Sequence, residues 1–228
     1  MSMITKREFL FESGVQYGHR TSRLNPKMNT FIWGKRNGIH LINIALTEIQ
    51  LSKAEAFLEG IAERGKQILW VGTKKIVRDI VRKHAEKTKS PYLAERWIGG
   101  TLTNYNEVKK SIKNLSQNKE VYEKSSGILT KKELSILKKK IDRAQKCVGG
   151  IESLSWPVGA IVVADAKKDR IAIEEAINVG VPVISIVDTN SSPDGISVCI
   201  PANDDLKKSV DVIFNYLSDA VLRGAERY

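Results

Sequence analysis

The chain has 228 residues, 42% of them hydrophobic and 28% charged, with a formal net charge of +11 and two cysteines, Cys147 and Cys199. That balance excludes a disordered chain, two cysteines are too few for a disulfide framework, and no run nears the roughly 18 apolar residues of a membrane helix. The first residues, MSMITKREFLFESG, lack the apolar run and small-residue cleavage site of a secretory signal. A cytoplasmic protein, or one made inside an organelle, is expected.

The charge is unevenly placed. Residues 1–147 hold thirty Lys/Arg against fourteen acids, a net of +16, whereas residues 148–228 hold seven against twelve, a net of −5. Such asymmetry fits a protein with one face on a polyanion and another turned away from it; an ordinary basic surface is the alternative.

In chain order, residues 14–47 come first: GVQYGHRTSRLNPKMNTFIWGKRNGIHLINIALT. The stretch is too polar for a core and lacks the composition of a flexible tether. Arg20, Arg23, Lys27, Lys35 and Arg36 alternate with His19, Asn25, Phe31, Trp33 and Asn37, with Thr21 among them. Cations suit phosphates, amides and hydroxyls suit ribose and base edges, and rings stack on unpaired bases. Alternatively, Phe31, Ile32 and Trp33 are buried anchors of an ordinary loop.

Helix periodicity then runs over Leu46–Glu63, with Ile49, Lys53, Ala56, Leu58 and Ile61 around one face. A short apolar strand, Gln67–Gly72, leads into Gly72-Thr-Lys-Lys75 and a helix over Lys75–Lys87 carrying His84. A strand-to-helix turn is where backbone N–H groups and the helix dipole hold phosphate. Neither G-x-x-x-x-G-K-[ST] nor G-x-G-x-x-G is present, so Lys74 and Lys75 are assigned to a backbone phosphate of a larger nucleic acid. The competing reading is an enzyme with a nucleotide phosphate here and Asp165 or Asp188 as acid, base or metal ligand.

Next comes Arg96-Trp-Ile-Gly-Gly-Thr-Leu-Thr-Asn104. Its adjacent glycines permit a sharp turn. Thr103 and Asn104 suit either RNA contact or capping of the following helix.

From Glu107 to Val148 there is no strand candidate. Val108, Ile112, Leu115 and Tyr122, then Leu134, Leu137, Ile141, Ala144 and Val148, recur near heptad spacing, with Gly127 between the two series. The pattern predicts two antiparallel helices zipped along a narrow seam, their outer faces rich in Lys109, Lys110, Lys113, Lys138, Lys139 and Lys140. A docking rod for a protein partner is the other reading of this pair.

Strands follow at Gly159–Asp165, Pro182–Asp188 and Ile196–Ile200, with helices at Arg170–Val179 and Asp204–Leu222. Continuous apolar strands alternating with helices predict a parallel sheet covered on both faces. Gly65, Gly180 and Gly224 stand where helix ends want positive φ. Asp188 to Pro193 and Asn203 to Asp205 read as turns and caps. The three histidines lie on unrelated elements, and no H-x-x-x-H, C-x-x-C or G-x-S-x-G occurs. No catalytic residue, metal or cofactor is expected.

GVQYGHRT, NPKM, KRNGIHLI, VGTKK, RWIGGTLTN, CVGGI, PVISIVDTN and IPANDD together resemble the bacterial-type small-subunit ribosomal protein S2 family, in its order and spacing over nearly the whole chain. The resemblance implies a flavodoxin-like (Rossmann-like) parallel sheet with a protruding coiled-coil hairpin. It also implies a place on the back of the small ribosomal subunit, between head and body, bound to ribosomal RNA beside other small-subunit proteins. In many bacteria ribosomal protein S1 docks on this family. Departures are Leu24 where members usually have Trp, Trp156-Pro157-Val158 for Leu-Pro-Asp, Ala166–Asp169 as AKKD, and PANDD for PGNDD. PANDD and the Asn of HLIN are similar to plastid versions, which leaves an organellar ribosome open.

The expected organisation is one α/β domain over 1–106 and 149–228, its residues 1–45 facing RNA, with 107–148 as an inserted helical hairpin. The protein is expected to be a monomer within the ribosome. RNA contacts are expected at His19, Arg20, Thr21, Arg23, Asn25, Lys27, Lys35, Arg36, Asn37, Lys74, Lys75, Arg96, Thr103, Asn104, Lys109, Lys110 and Lys113.

Overall fold

A computed structural model describes residues 5–124 and 130–228. A five-stranded parallel sheet forms the centre, built from β4 (Ile68–Val71), β5 (Tyr92–Leu93), β6 (Ala160–Val163), β7 (Val183–Val187) and β8 (Val198–Pro201). Its spatial order is β5-β4-β6-β7-β8. Counting only these strands, that is 2-1-3-4-5, the flavodoxin-like order. Every residue of β4, β6 and β7 is buried, so they carry apolar side chains on both faces.

The side chains alternate between two cores with the strand period of two. Ile68, Trp70, Val162 and Ile184 face helices α2 (Ile44–Ala62), α3 (Arg78–Lys87) and α7 (Lys207–Ala225), meeting Leu51, Leu58, Val81 and Phe214. Leu69, Val71, Ile161 and Val183 face α6 (Arg170–Val179) and the inner ends of α4 (Tyr105–Lys124) and α5 (Lys131–Val148). Trp70 and Phe214 rings lie 5.2 Å apart across the first core.

The six expected helices are present in their expected order, preceded by one that the sequence pattern did not indicate, α1 (Lys6–Glu12), and they depart from the pattern in detail. α2 buries Leu51, Ala54, Leu58 and Ile61 and exposes Ile49, so its apolar face is rotated from the one expected. Gly180 has φ +76° at the end of α6, as a left-handed cap requires. Gly224 instead lies inside α7, where a Cβ would come within 2.4 Å of the Glu59 carbonyl oxygen. It is there so that α7 and α2 can touch.

α4 and α5 fall between β5 and β6 in sequence. Val108, Leu115 and Val148 are buried and join the core under the sheet, and Ile112, Tyr122, Leu134, Leu137, Ile141 and Ala144 are half-buried, while nearly all other side chains on these helices are exposed. Gly127, expected between them, lies outside the described residues. Thr130 caps α5 with a reciprocal pair to Glu133.

The segment read as loop, residues 14–47, holds a small antiparallel sheet. It comprises β1 (Tyr17–Arg20), β2 (Ile32–Arg36) and β3 (Ile39–Ile42) in the order β1-β3-β2. Asn37 and Gly38, with φ of 51° and 74°, make the two-residue turn between β2 and β3. Ahead of it, α1 (Lys6–Glu12) is tied to α2 by Lys6–Glu55 at 2.6 Å and Arg7–Glu48 at 2.8 Å. No helix of the described residues is long and apolar enough to cross a membrane.

Candidate nucleic-acid interface

In a doubly wound sheet, ligands sit beyond the carboxyl ends of the strands where the order reverses, here after β4 and β6. The turn after β4 is closed by the protein itself. Thr73 donates from its backbone N–H to Asp169 at 3.1 Å and from its hydroxyl at 2.6 Å. The carboxylate stands where a phosphate oxygen would accept those bonds.

Lys74, expected at a phosphate, is instead held inside a carboxylate cluster. Its ammonium lies 3.2 Å from Asp165, 2.8 Å from Asp204 and 2.7 Å from Asp205. Burial works to lower its pKa, but the bonds to Asp204 and Asp205 outweigh it and hold the group above the usual lysine range. Burial, then the Asp165 charge, pushes the Asp204 carboxyl up as well, to about 7. The expectation for Lys74 is therefore revised: this ammonium neutralises buried acids and has no charge to offer a polyanion.

The small sheet closes over this cluster. Gly18 passes so near Thr189 that a Cβ would lie 2.6 Å from its methyl carbon, and the His19 N–H donates to the Thr189 hydroxyl at 2.9 Å. The His19 ring spans Asp188 at 3.0 Å and Asp205 at 3.2 Å. The Asp188 bond is the chief reason its pKa is raised. Half-buried at the edge of a groove and paired to two acids, His19 locks the N-terminal segment onto β7 and β8. His19, Asp204 and Asp205 have donor atoms within 4.8 Å of one another and are the described residues that could share a cation; Lys74 already supplies positive charge there. Asn203 does not cap α7, whose N-cap is Leu206; its side-chain oxygen instead fixes the turn before that helix, accepting from the N–H groups of Asp205 and Leu206 at 2.8 Å each.

The RWIGGTLTN loop is organised by a residue that the sequence reading missed. Glu175 of α6 accepts from the Trp97 indole and the Gly100 N–H at 2.9 Å each, the Leu102 N–H at 3.2 Å and the Thr103 hydroxyl at 3.4 Å. Burial would raise the pKa of this carboxyl, but these bonds outweigh it and lower it. An acid at a helix position whose neighbours Ala172, Ile173 and Ala176 are all buried was the signal. Thr103 keeps an exposed side and Asn104 is exposed.

The remaining expected residues divide by what holds them. Arg20, Thr21, Arg23, Lys35, Arg36, Asn37, Lys75 and Arg96 are exposed, and among the described residues none of their cations lies within 4.0 Å of a carboxylate. Lys27 pairs on the surface with Asp194, and Lys110 with Glu107 at 2.6 Å; both pairs are solvent-exposed and exchangeable. Lys109 and Lys113 are exposed on α4. Asn25 spends its side-chain oxygen on the Lys27 N–H at 3.1 Å, a cap to the short helical turn Pro26–Phe31.

These residues line several grooves. Arg20 and Arg23 edge one with His19; Lys75, Arg96, Arg78 and Lys168 edge another; Lys109, Lys110 and Lys113 edge a third. Arg36 and Asn37 border a cleft with Phe11, Tyr17 and Trp33. Trp33 is 74% exposed, so it is no core anchor; Phe31 and Ile32 are half-buried. What emerges is a polar, cation-studded surface over a ligand position filled by the protein's own carboxylates.

A family model described as ribosomal protein S2 matches residues 10–224, nearly the whole chain. The chain belongs to the ribosomal protein S2 family, a family of structural small-subunit ribosomal proteins and not of enzymes.

Proposed function

We propose that the protein binds small-subunit ribosomal RNA through its N-terminal sheet and adjoining loops, and takes the place between head and body on the back of the subunit that the family resemblance implies. The observation that carries this is the set of exposed cations that, among the described residues, have no carboxylate within 4.0 Å: Arg20, Arg23, Lys35, Arg36, Lys75 and Arg96. An ion paired inside the protein gives little to a phosphate; these six are free to displace counterions from one. Thr21, Asn37 and Asn104 supply short polar groups beside them, and Lys109 and Lys113 extend the basic surface along α4, which with α5 acts as an arm separate from the sheet domain. His19, Asn25 and Lys74 support the surface from beneath.

The cleft of Phe11, Tyr17 and Trp33 suits a different neighbour. Exposed aromatic anchors with few competing charges are the composition of protein interfaces, which supports docking of ribosomal protein S1 there. Sedimentation of a cell lysate tests the main reading. The chain should travel with small subunits at low salt and leave them as salt rises; a chain that stays at the top of a low-salt gradient overturns it.

A further inference from the structure

A second tryptophan, besides Trp33, stands in the open, far along the chain from the N-terminal segment. Trp156 is 42% exposed, an uncommon state for the largest side chain. It lines a groove of about 1100 Å³ along the first turns of α4, together with Tyr105, Lys109, Lys113 and Leu154. The Tyr105 ring lies 6.2 Å away with 25° between the planes. Its hydroxyl donates to the Leu154 carbonyl, so the ring that backs the indole is itself fixed.

The charges of the groove can be assigned one by one. Glu107 is paired with Lys110 at 2.6 Å and Glu152 with Lys119 at 2.8 Å. Lys109 and Lys113 share a face of α4, four residues apart, and among the described residues neither has a carboxylate within 4.0 Å. The surplus is therefore cationic, and it sits beside a pre-positioned flat ring. Stacking ring plus ammonium groups at phosphate distance is the chemistry that holds a single-stranded nucleotide. An apolar peptide helix would have to bury those two ammonium groups unpaired.

We propose that this groove clamps an unpaired RNA nucleotide, its base stacked on Trp156 and its flanking phosphates on Lys109 and Lys113. The inference rests on the RNA-binding reading and adds a site to it. It is tested with the full chain and two probes, purified small-subunit ribosomal RNA and oligouridylate, with thermal melts confirming that each variant folds.

Trp156→Ala should weaken binding to both probes by at least about five-fold, the lower end of a base–aromatic stack, and leave the salt dependence unchanged. Trp156→Phe should recover most of the loss. Lys109→Ala with Lys113→Ala should instead flatten the salt dependence by roughly two phosphate contacts. Wild-type affinity in Trp156→Ala, with binding still lost on substituting Arg20 or Arg36, would overturn the clamp and leave RNA binding standing. Failure of the unaltered chain to bind ribosomal RNA at low salt would overturn both. Displacement of a polyglutamate peptide, but not of RNA, by loss of Trp156 would assign the groove to an acidic protein and overturn the clamp.

Discussion

The indole N–H of Trp97 donates to the carboxylate of Glu175 across 2.9 Å, joining the loop after β5 to the middle of α6. One carboxylate thereby satisfies donors from Trp97, Gly100, Leu102 and Thr103. Glu175→Ala would strand several of them in a buried place, where each unsatisfied group costs about 1–3 kcal/mol. We expect a loss of about 3 kcal/mol in urea unfolding, with Glu175→Gln losing less because one oxygen acceptor remains. A loss under about 0.5 kcal/mol for the alanine variant, the range of a neutral surface change, would mean that water replaces the carboxylate.

Lys74 makes a second prediction, because it separates charge that supports the fold from charge that binds RNA. Lys74→Met leaves Asp165 and Asp204, at 5% and 2% exposure, without their shared counter-ion. Breaking such a buried pair costs about 3 kcal/mol or more. The penalty should shrink as pH falls from 8 to 5.5, since Asp204, already pushed up to about 7, then takes a proton and ends the repulsion. Urea midpoints at the two pH values, for Lys74→Met alone and combined with Asp204→Asn, check this. A penalty equal at both pH values would contradict it.

How far the sequence carried is clearest in the contrast between two segments. The strands β4, β6 and β7 are, apart from Ser185, wholly apolar runs buried on both faces, so composition alone marks them. The sheet β1-β3-β2 is not so marked: its strands are half-exposed and interrupted by Gly18 and Gly34, and its basic residues obscure the strand pattern. The Asn37-Gly38 pair was a hairpin signal in plain view. Site residues were legible as types and not as partners. Nothing local to Lys74 tells that Asp204 and Asp205, far along the chain, fold back to it. His19 looked like an RNA contact for the same reason.

The buried His84 gives a pH dependence with a defined sign. Its ring meets Asp211 at 2.9 Å and Ser218 at 3.1 Å, pinning α3 to α7. Burial lowers its pKa below 6.5, against the pull of Asp211. The folded state therefore favours the neutral ring, and this contribution is complete above about 6.5, the unfolded value, and is lost as pH falls through the folded one. The stability gap between the wild type and His84→Gln should narrow as pH is lowered from 7.5 to 5. A gap that widens would show that the charged ring is the one held by Asp211.

Salt dependence offers the most direct measure of which cations meet RNA. Removing one phosphate-binding cation should reduce the slope of log affinity against log salt by about one. Arg20→Ala, Arg23→Ala, Lys35→Ala and Arg36→Ala each remove an exposed cation with no carboxylate partner among the described residues, and each is expected to lower the slope while leaving the melting temperature near that of the wild type. Lys27→Ala should act less, since Lys27 must first give up Asp194. Lys74→Met should do the reverse of the arginines, lowering the melting temperature and leaving the slope of the folded fraction intact. Filter binding to small-subunit ribosomal RNA across a salt series, with parallel melts, distinguishes these patterns. Were Lys74→Met to change the slope and the four exposed cations not, the basic surface would lie on the wrong side of the molecule for the RNA.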